Sequence, residues 1–151
     1  MLNEKEIDAI KRTIEDFNKD IKTKKIDFDG KIFIGDDGIL RVEFGTDVKS
    51  LIRDTEVMLG SMERLGDKTP SNLMALVKLS PNLKIVNYEV REKITEQLKN
   101  LMVKPNFKKV AICGNNVIMK AAFSFILPVI GVNNIKFFGT EEEAIKWLRK
   151  D

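Results

Sequence analysis

The chain has 151 residues, 43% of them apolar and 32% charged, with 26 basic against 23 acidic side chains and a net charge of +3. That length suits one domain with a substantial core, and the interleaved charges form no basic stripe, so no nucleic-acid partner is expected. There is no histidine and a single cysteine, which excludes Ser-His-Asp and Cys-His machinery within the chain, the commonest metal ligand, and an internal disulfide.

Residues 3–21 predict an amphipathic helix, because Ile7, Ile10, Ile14, Phe17 and Ile21 recur at steps of three and four. So narrow a seam either packs on the domain or pairs with a second subunit, and it is too short to be more than a marginal coiled coil alone. Lys22 to Gly30 is a charged connector, which divides the chain into residues 1–30, helix and connector, and residues 31–151, the main domain. Lys31 to Gly45 reads as a β-hairpin: Ile32 and Ile34 alternate with Phe33, Asp36-Asp37-Gly38 supplies the turn, and Leu40, Val42 and Phe44 alternate with Arg41 and Glu43. Thr46 or Asp47 caps a helix whose apolar face runs from Val48 through Leu51, Ile52, Thr55, Met58 and Leu59 to Met62.

Gly66 to Pro70 is a loop, Leu73 to Leu79 a strand, and Ser80-Pro81-Asn82 its end. Asn87 caps a helix carrying Val90, Ile94, Leu98, Leu101 and Met102 on one face, stopped by Lys104-Pro105-Asn106. Lys109 to Cys113 is a strand, Gly114-Asn115-Asn116 breaks it, and Val117 to Leu127 is a helix that Pro128 is expected to stop. Ile135 to Phe138 is a last strand, and Thr140-Glu-Glu-Glu143 is a capping box opening a last helix. The order, a helix and a hairpin followed by alternating helices and strands, predicts an α/β fold with a mixed sheet flanked by helices.

This order resembles the SpoIIAA-like fold of STAS domains and, more narrowly, the STAS/SEC14-type small bacterial proteins. The resemblance is carried by Asp37 to Phe44, Leu76-Val77-Lys78-Leu79-Ser80, Lys109-Val-Ala-Ile112, and Lys136-Phe137-Phe138 with Glu141 to Leu148; it spans Lys31 to the C-terminus and leaves out the N-terminal helix. It implies a SpoIIAA-like mixed sheet and a regulatory role through protein contacts. Anti-sigma-antagonist members carry an Asp-Ser-Ser-Gly-like motif whose phosphorylated serine breaks partner binding. Here the matching stretch is Ile85-Val86-Asn87-Tyr88-Glu89-Val90, without Ser or Thr, so that switch is expected to be absent. Lys78 stands where the narrower family often has Asp, so no role of that carboxylate carries over.

Gly114, Asn115 and Asn116 lie where a strand ends and a helix begins, a place that suits anions, although every such turn needs a small residue and a cap. Cys113 is either a thiolate activated by that helix end or, without His or a second Cys, a structural cysteine. The Val117–Leu127 helix has only Lys120 and Ser124 as polar residues, which predicts burial on more than one face, a subunit interface, or a lipid-accepting groove. Ala144, Trp147 and Leu148 share one helical face and are expected in the core, while Lys104, Lys108 and Lys109 read as a solvated cluster.

The expected function is a non-catalytic regulatory or protein-interaction module, a homodimer or partner of another protein, with Ile7, Ile10, Ile14, Phe17, Phe123 and Phe125 as contact residues. The alternatives are a carrier of a lipid or other apolar ligand, and an enzyme using Lys or carboxylate chemistry. No cofactor or metal is expected. The charged start, Met1-Leu-Asn-Glu-Lys-Glu6, is unlike a secretory signal, and the apolar run 121–132 holds Pro128 and Gly131 and is too short to span a bilayer. A cytoplasmic protein without an integral membrane segment is expected.

Overall fold

A computed structural model of the chain describes residues 2–28, 30–44, 48–65, 73–83, 87–103 and 107–150, except the side chains of 48, 62–65 and 101–103. The elements are α1 (Glu4–Thr23), β1 (Lys31–Ile34), β2 (Ile39–Glu43), α2 (Val48–Leu65), β3 (Leu73–Lys78), α3 (Tyr88–Val103), β4 (Phe107–Cys113), α4 (Val117–Ile130), β5 (Ile135–Phe138) and α5 (Glu141–Arg149). The expected caps at Thr46 or Asp47, the Gly66–Pro70 loop and the Lys104–Asn106 break lie outside the described residues.

The strands form one mixed sheet in the order β1-β2-β3-β4-β5. β1 and β2 are an antiparallel hairpin with Ile32 opposite Val42, turned at Gly38, whose φ of 78° suits the only residue without a Cβ. β2, β3, β4 and β5 run parallel, each to the next. Three successive crossovers of one hand, always to the neighbouring strand in the same direction, deliver their helices to the same side of the sheet. The core bears this out: Leu51 and Met58 of α2, Ile94 and Leu98 of α3, and Met119, Ala122, Phe123 and Ile126 of α4 join Leu40, Val42, Ala75, Val77, Val110 and Ile112. The alternate strand residues Ile39, Leu76, Ala111 and Cys113 meet Ala144 and Leu148 of α5 on the opposite side, with Ile145 and Trp147 partly buried against them. Both faces of the central strands are thus covered, which is why they read as continuous apolar runs.

The N-terminal seam closes on its own chain. Ile10, Ile14 and Phe17 are 0%, 6% and 6% exposed, and Ile7 packs against the same core, which also holds Ile32 and Ile34 of β1 and Leu51 of α2. Asn3 and Glu6 make a full capping box at its start, with bonds of 3.1 and 2.8 Å. With Ile10, Ile14 and Phe17 spent on the core and Ile7 partly buried against it, the seam is occupied within the chain, which corrects the assignment of these residues as intermolecular contacts.

Two expectations about α4 are also corrected. Pro128 lies inside the helix, which ends on Gly131 in the left-handed conformation (φ 72°). Proline forfeits one bond to Ser124 one turn from the end, and the buried side chains of Met119 to Ile126 hold the helix regardless. Burial is also one-sided. Phe123 is buried and stacks on Phe137 at 5.2 Å, so it is core and not contact surface, while Val117, Phe125 and Val129 are 83%, 64% and 63% exposed.

Candidate functional site

The chain leaves β4 for one face of the sheet through α4 and leaves β5 for the other through α5, so a crevice opens at the carboxyl ends of these neighbours. Open α/β sheets place ligands at such a point. Here the groups that could greet a ligand are already engaged. The Gly114 N–H donates to the Phe138 carbonyl at 3.1 Å. Asn116 Oδ1 accepts from the Ile118 and Met119 amides at 2.8 and 3.4 Å, and Nδ2 donates to the Pro81 and Leu83 carbonyls at 2.8 and 3.0 Å. Asn116 therefore caps α4 and ties it to the turn after β3. A Cβ on Gly114 would meet Leu79 and Phe137 at ordinary distances of 3.5 and 3.6 Å, so no close approach is reserved there. Asn115 is exposed, and Glu141, Glu142 and Glu143 open α5 on the same rim, with Glu141 3.4 Å from Lys78. Negative charge in that first turn favours the helix and repels an anion.

Cys113 is 3% exposed, and burial, with the Glu141 charge adding to it, pushes its thiol up to about 11. The neutral form of a buried thiol is neither nucleophile nor ligand. Lys109 leaves the solvated cluster to which the sequence assigned it. From β4 its Nζ donates to the carbonyl of Trp147 at 2.9 Å, which also accepts from the Lys150 amide, and to the carbonyl of Lys150, both at the end of α5. Lys109 and Lys136 both lie over the Trp147 ring, 5.0 and 5.4 Å from its centre, and Phe138 packs on it at 5.5 Å. Trp147 is consequently a half-buried pin for α5 and not a core residue like Ala144 and Leu148. At the hairpin turn, Arg41 grips Asp37 through two 2.9 Å bonds and Arg149 reaches it at 3.3 Å, holding the carboxyl at about 2.

The interior holds a cavity of about 20 Å³ between α2, α3 and the sheet, walled by Leu51, Met58, Ile94, Ile112 and Phe123 among others. That is room for one water. Among the described residues no three of Cys, Asp and Glu gather where a metal ion could be held, and no described helix is long and apolar enough to cross a membrane.

What remains is a surface. Val117, Ala121, Phe125 and Val129 recur every four residues along the outer side of α4 and are all exposed. Phe125 and Val129 of this strip face Tyr88, Arg91, Glu92, Thr95, Glu96 and Lys99 of α3 across an open groove of about 640 Å³ floored by Ile126. The guanidinium of Arg91 lies between two exposed rings, 5.8 Å from the centre of Tyr88 and 5.2 Å from that of Phe125. Its Nε is buried without a hydrogen-bond partner. Tyr88 is held by its hydroxyl, which donates to Glu92 at 2.8 Å, and that bond raises its pKa. Tyrosine, arginine and phenylalanine gathered at a groove are the residues that dominate binding energy at protein interfaces, and a continuous exposed apolar strip is unlike the scattered single residues of ordinary surface.

Of the six contact residues expected from sequence, only Phe125 lies on this surface. Tyr88, Arg91 and Val129 were not singled out as contacts. The signal for them was present in the helical spacing of Tyr88, Arg91, Thr95 and Lys99, one turn apart each time. With the geometry in view, comparison with known proteins adds no relative: no family model, no curated protein and no solved structure matches the chain.

Proposed function

We propose that the chain is a non-catalytic protein-interaction module that acts in the cytoplasm, a regulator of the kind its SpoIIAA-like resemblance implies, and that it engages its partner through the α3–α4 face. One observation carries this reading: exposed Phe125 and Val129, part of an apolar strip with Val117, border an arginine that has two aromatic neighbours and a buried Nε without a hydrogen-bond partner among the described residues. An interface of that composition gains energy by removing the strip from water and by giving Arg91 an acidic partner. A serine phospho-switch is not part of the proposal. Asn87 is spent on capping α3, its Oδ1 accepting from the Glu89 amide at 2.8 Å, and Tyr88 begins the helix; Ile85 and Val86 lie outside the described residues. The reading as an apolar-ligand carrier draws no comparable support from an enclosed cavity of about 20 Å³.

The test is site-specific photocrosslinking in the organism that makes the protein. A benzophenone side chain in place of Phe125 is expected to give a discrete protein adduct. The same group in place of Phe33, which is 41% exposed on β1, serves as the control and is expected to give none. No adduct from position 125, or the same adducts from both positions, refutes the proposal.

A further inference from the structure

The polar residues bordering the groove show what covers it. On α3 the groove is lined at positions 88, 91, 92, 95, 96 and 99. When two copies of a helix pack antiparallel about a two-fold axis, residues whose numbers share one sum face each other. An axis between Lys93 and Ile94 sets Tyr88 against Lys99, Arg91 against Glu96 and Glu92 against Thr95, and each pairing occurs twice. All six lining residues find a mate within the set, and each mate is chemically fitting. Lysine meets an aromatic ring. Arg91, whose Nε has no hydrogen-bond partner among the described residues, meets an exposed carboxylate. Glu92 meets a small neutral residue and no second acid. The buried Thr95 stands near the centre of the contact, where a short side chain lets two helices approach. The strips of Phe125 and Val129 then flank the helix pair.

We infer that the occupant of the α3–α4 face is a second copy of this chain, packed antiparallel along α3, with Arg91 of each copy paired to Glu96 of the other. This rests on the proposed function and names its partner. Nothing in the balance of charges favours a foreign partner of one sign: Arg91 and Lys99 are matched by Glu92 and Glu96 on the same face.

Charge reversal tests it by sedimentation velocity at roughly 100 μM, which populates any dimer tighter than that. The wild type is expected to sediment as a dimer. Arg91→Glu alone and Glu96→Arg alone each set like charges against each other twice, and each is expected to weaken the dimer on the order of a hundredfold. Mixing those two variants is expected to restore association as a one-to-one heterodimer, since every facing pair becomes opposite in sign. The double variant is expected to dimerise with itself. Glu15→Arg, exposed on α1 and outside the groove, is expected to leave the dimer intact. Far-ultraviolet circular dichroism checks that each variant is folded, and the heterodimer arm shows that lost association is not lost folding.

A monomeric wild type overturns the inference, while an adduct from position 125 to a different protein would leave the docking face standing. A dimer indifferent to Arg91→Glu, Glu96→Arg and Phe125→Asp overturns both. Single variants that dissociate but do not recombine overturn the pairing.

Discussion

Asp37 offers a sharp test of how the hairpin is fastened to the rest of the molecule. Its carboxylate accepts two 2.9 Å bonds from Arg41, one of 3.1 Å from the Ile39 amide and a 3.3 Å contact from Arg149 at the end of α5. Together these hold its pKa at about 2, against 3.8 for a free aspartate, with the Arg41 bonds the largest cause. Each factor of ten in proton affinity corresponds to about 1.4 kcal/mol, so the full depression would be worth about 2.5 kcal/mol. Water reaches this carboxylate, whose side chain is 23% exposed, and screening leaves an expected contribution of about 1 kcal/mol. The sign follows from linkage. The unfolded chain binds the Asp37 proton more readily, so this stabilisation is complete above the ordinary aspartate pKa and is lost as pH falls from about 4 to about 2. In Asp37→Asn that dependence disappears. Urea unfolding followed by the fluorescence of the single tryptophan, Trp147 on α5, is expected to show the variant about 1 kcal/mol less stable at pH 7. With a urea slope of about 2 kcal/mol/M, the midpoint shifts by about 0.5 M. The gap should narrow steadily between about pH 4 and about pH 2. Gly35→Ala should reproduce most of the effect without touching charge, because its Cβ would stand 2.3 Å from Arg41 Nη1 and 2.8 Å from Asp37 Oδ1. Equal stability at pH 7, or a gap that stays constant with pH, would refute the reasoning.

Asn116→Ala removes a helix cap and two bonds to the Pro81 and Leu83 carbonyls, and thermal melting should show a loss of about 2 kcal/mol. Asn116→Asp keeps the cap oxygen and should recover only part of it. Pro128→Ala restores the missing helical N–H near the end of α4 and should raise stability by about 1 kcal/mol in the same assay; a loss would show that the ring itself supports the helix end. Cys113, 3% exposed with its pKa pushed up to about 11, should resist iodoacetamide at pH 8 and react fully once urea unfolds the chain. Reaction of the native protein at the rate of a free thiol would show that the strand end is open.

The order of elements was legible because each boundary has a local cause. Gly38 turns the hairpin, Asn87 and Asn116 cap their helices, and a period of two gives way to a period near four between them. The Thr140 half of the last capping box is also made, its Oγ1 accepting from the Glu143 amide at 3.2 Å. Misreadings arose where a local rule met the whole fold. Proline opposes a helix locally, yet α4 is held by contacts on its inner side and runs past Pro128. The composition of α4 says that it is apolar and not which side is covered; that follows from the sheet, which occupies the Met119–Phe123–Ile126 side and leaves Phe125 and Val129 outside. In the same way, the seam of Ile10, Ile14 and Phe17 is equally suited to a sheet and to another helix, and only the position of β1 and α2 decides between them. Lys109 was misplaced because its partners, the carbonyls of Trp147 and Lys150, lie about forty residues further along the chain. The α3–α4 groove joins two helices across a strand, so half of its residues carry no sign of the other half in sequence.

The lopsided cover of the sheet has a consequence for synthesis. α5 follows every described strand in chain order and is the element that shields Ile39, Leu76 and Ala111. A nascent chain can therefore assemble its sheet and first-side helices while those greasy residues still lie bare. Any delay in the docking of α5 would prolong the moment at which chaperones or sister chains can seize them. The last helix to be made thus becomes a lever on aggregation, set apart from anything the finished molecule does.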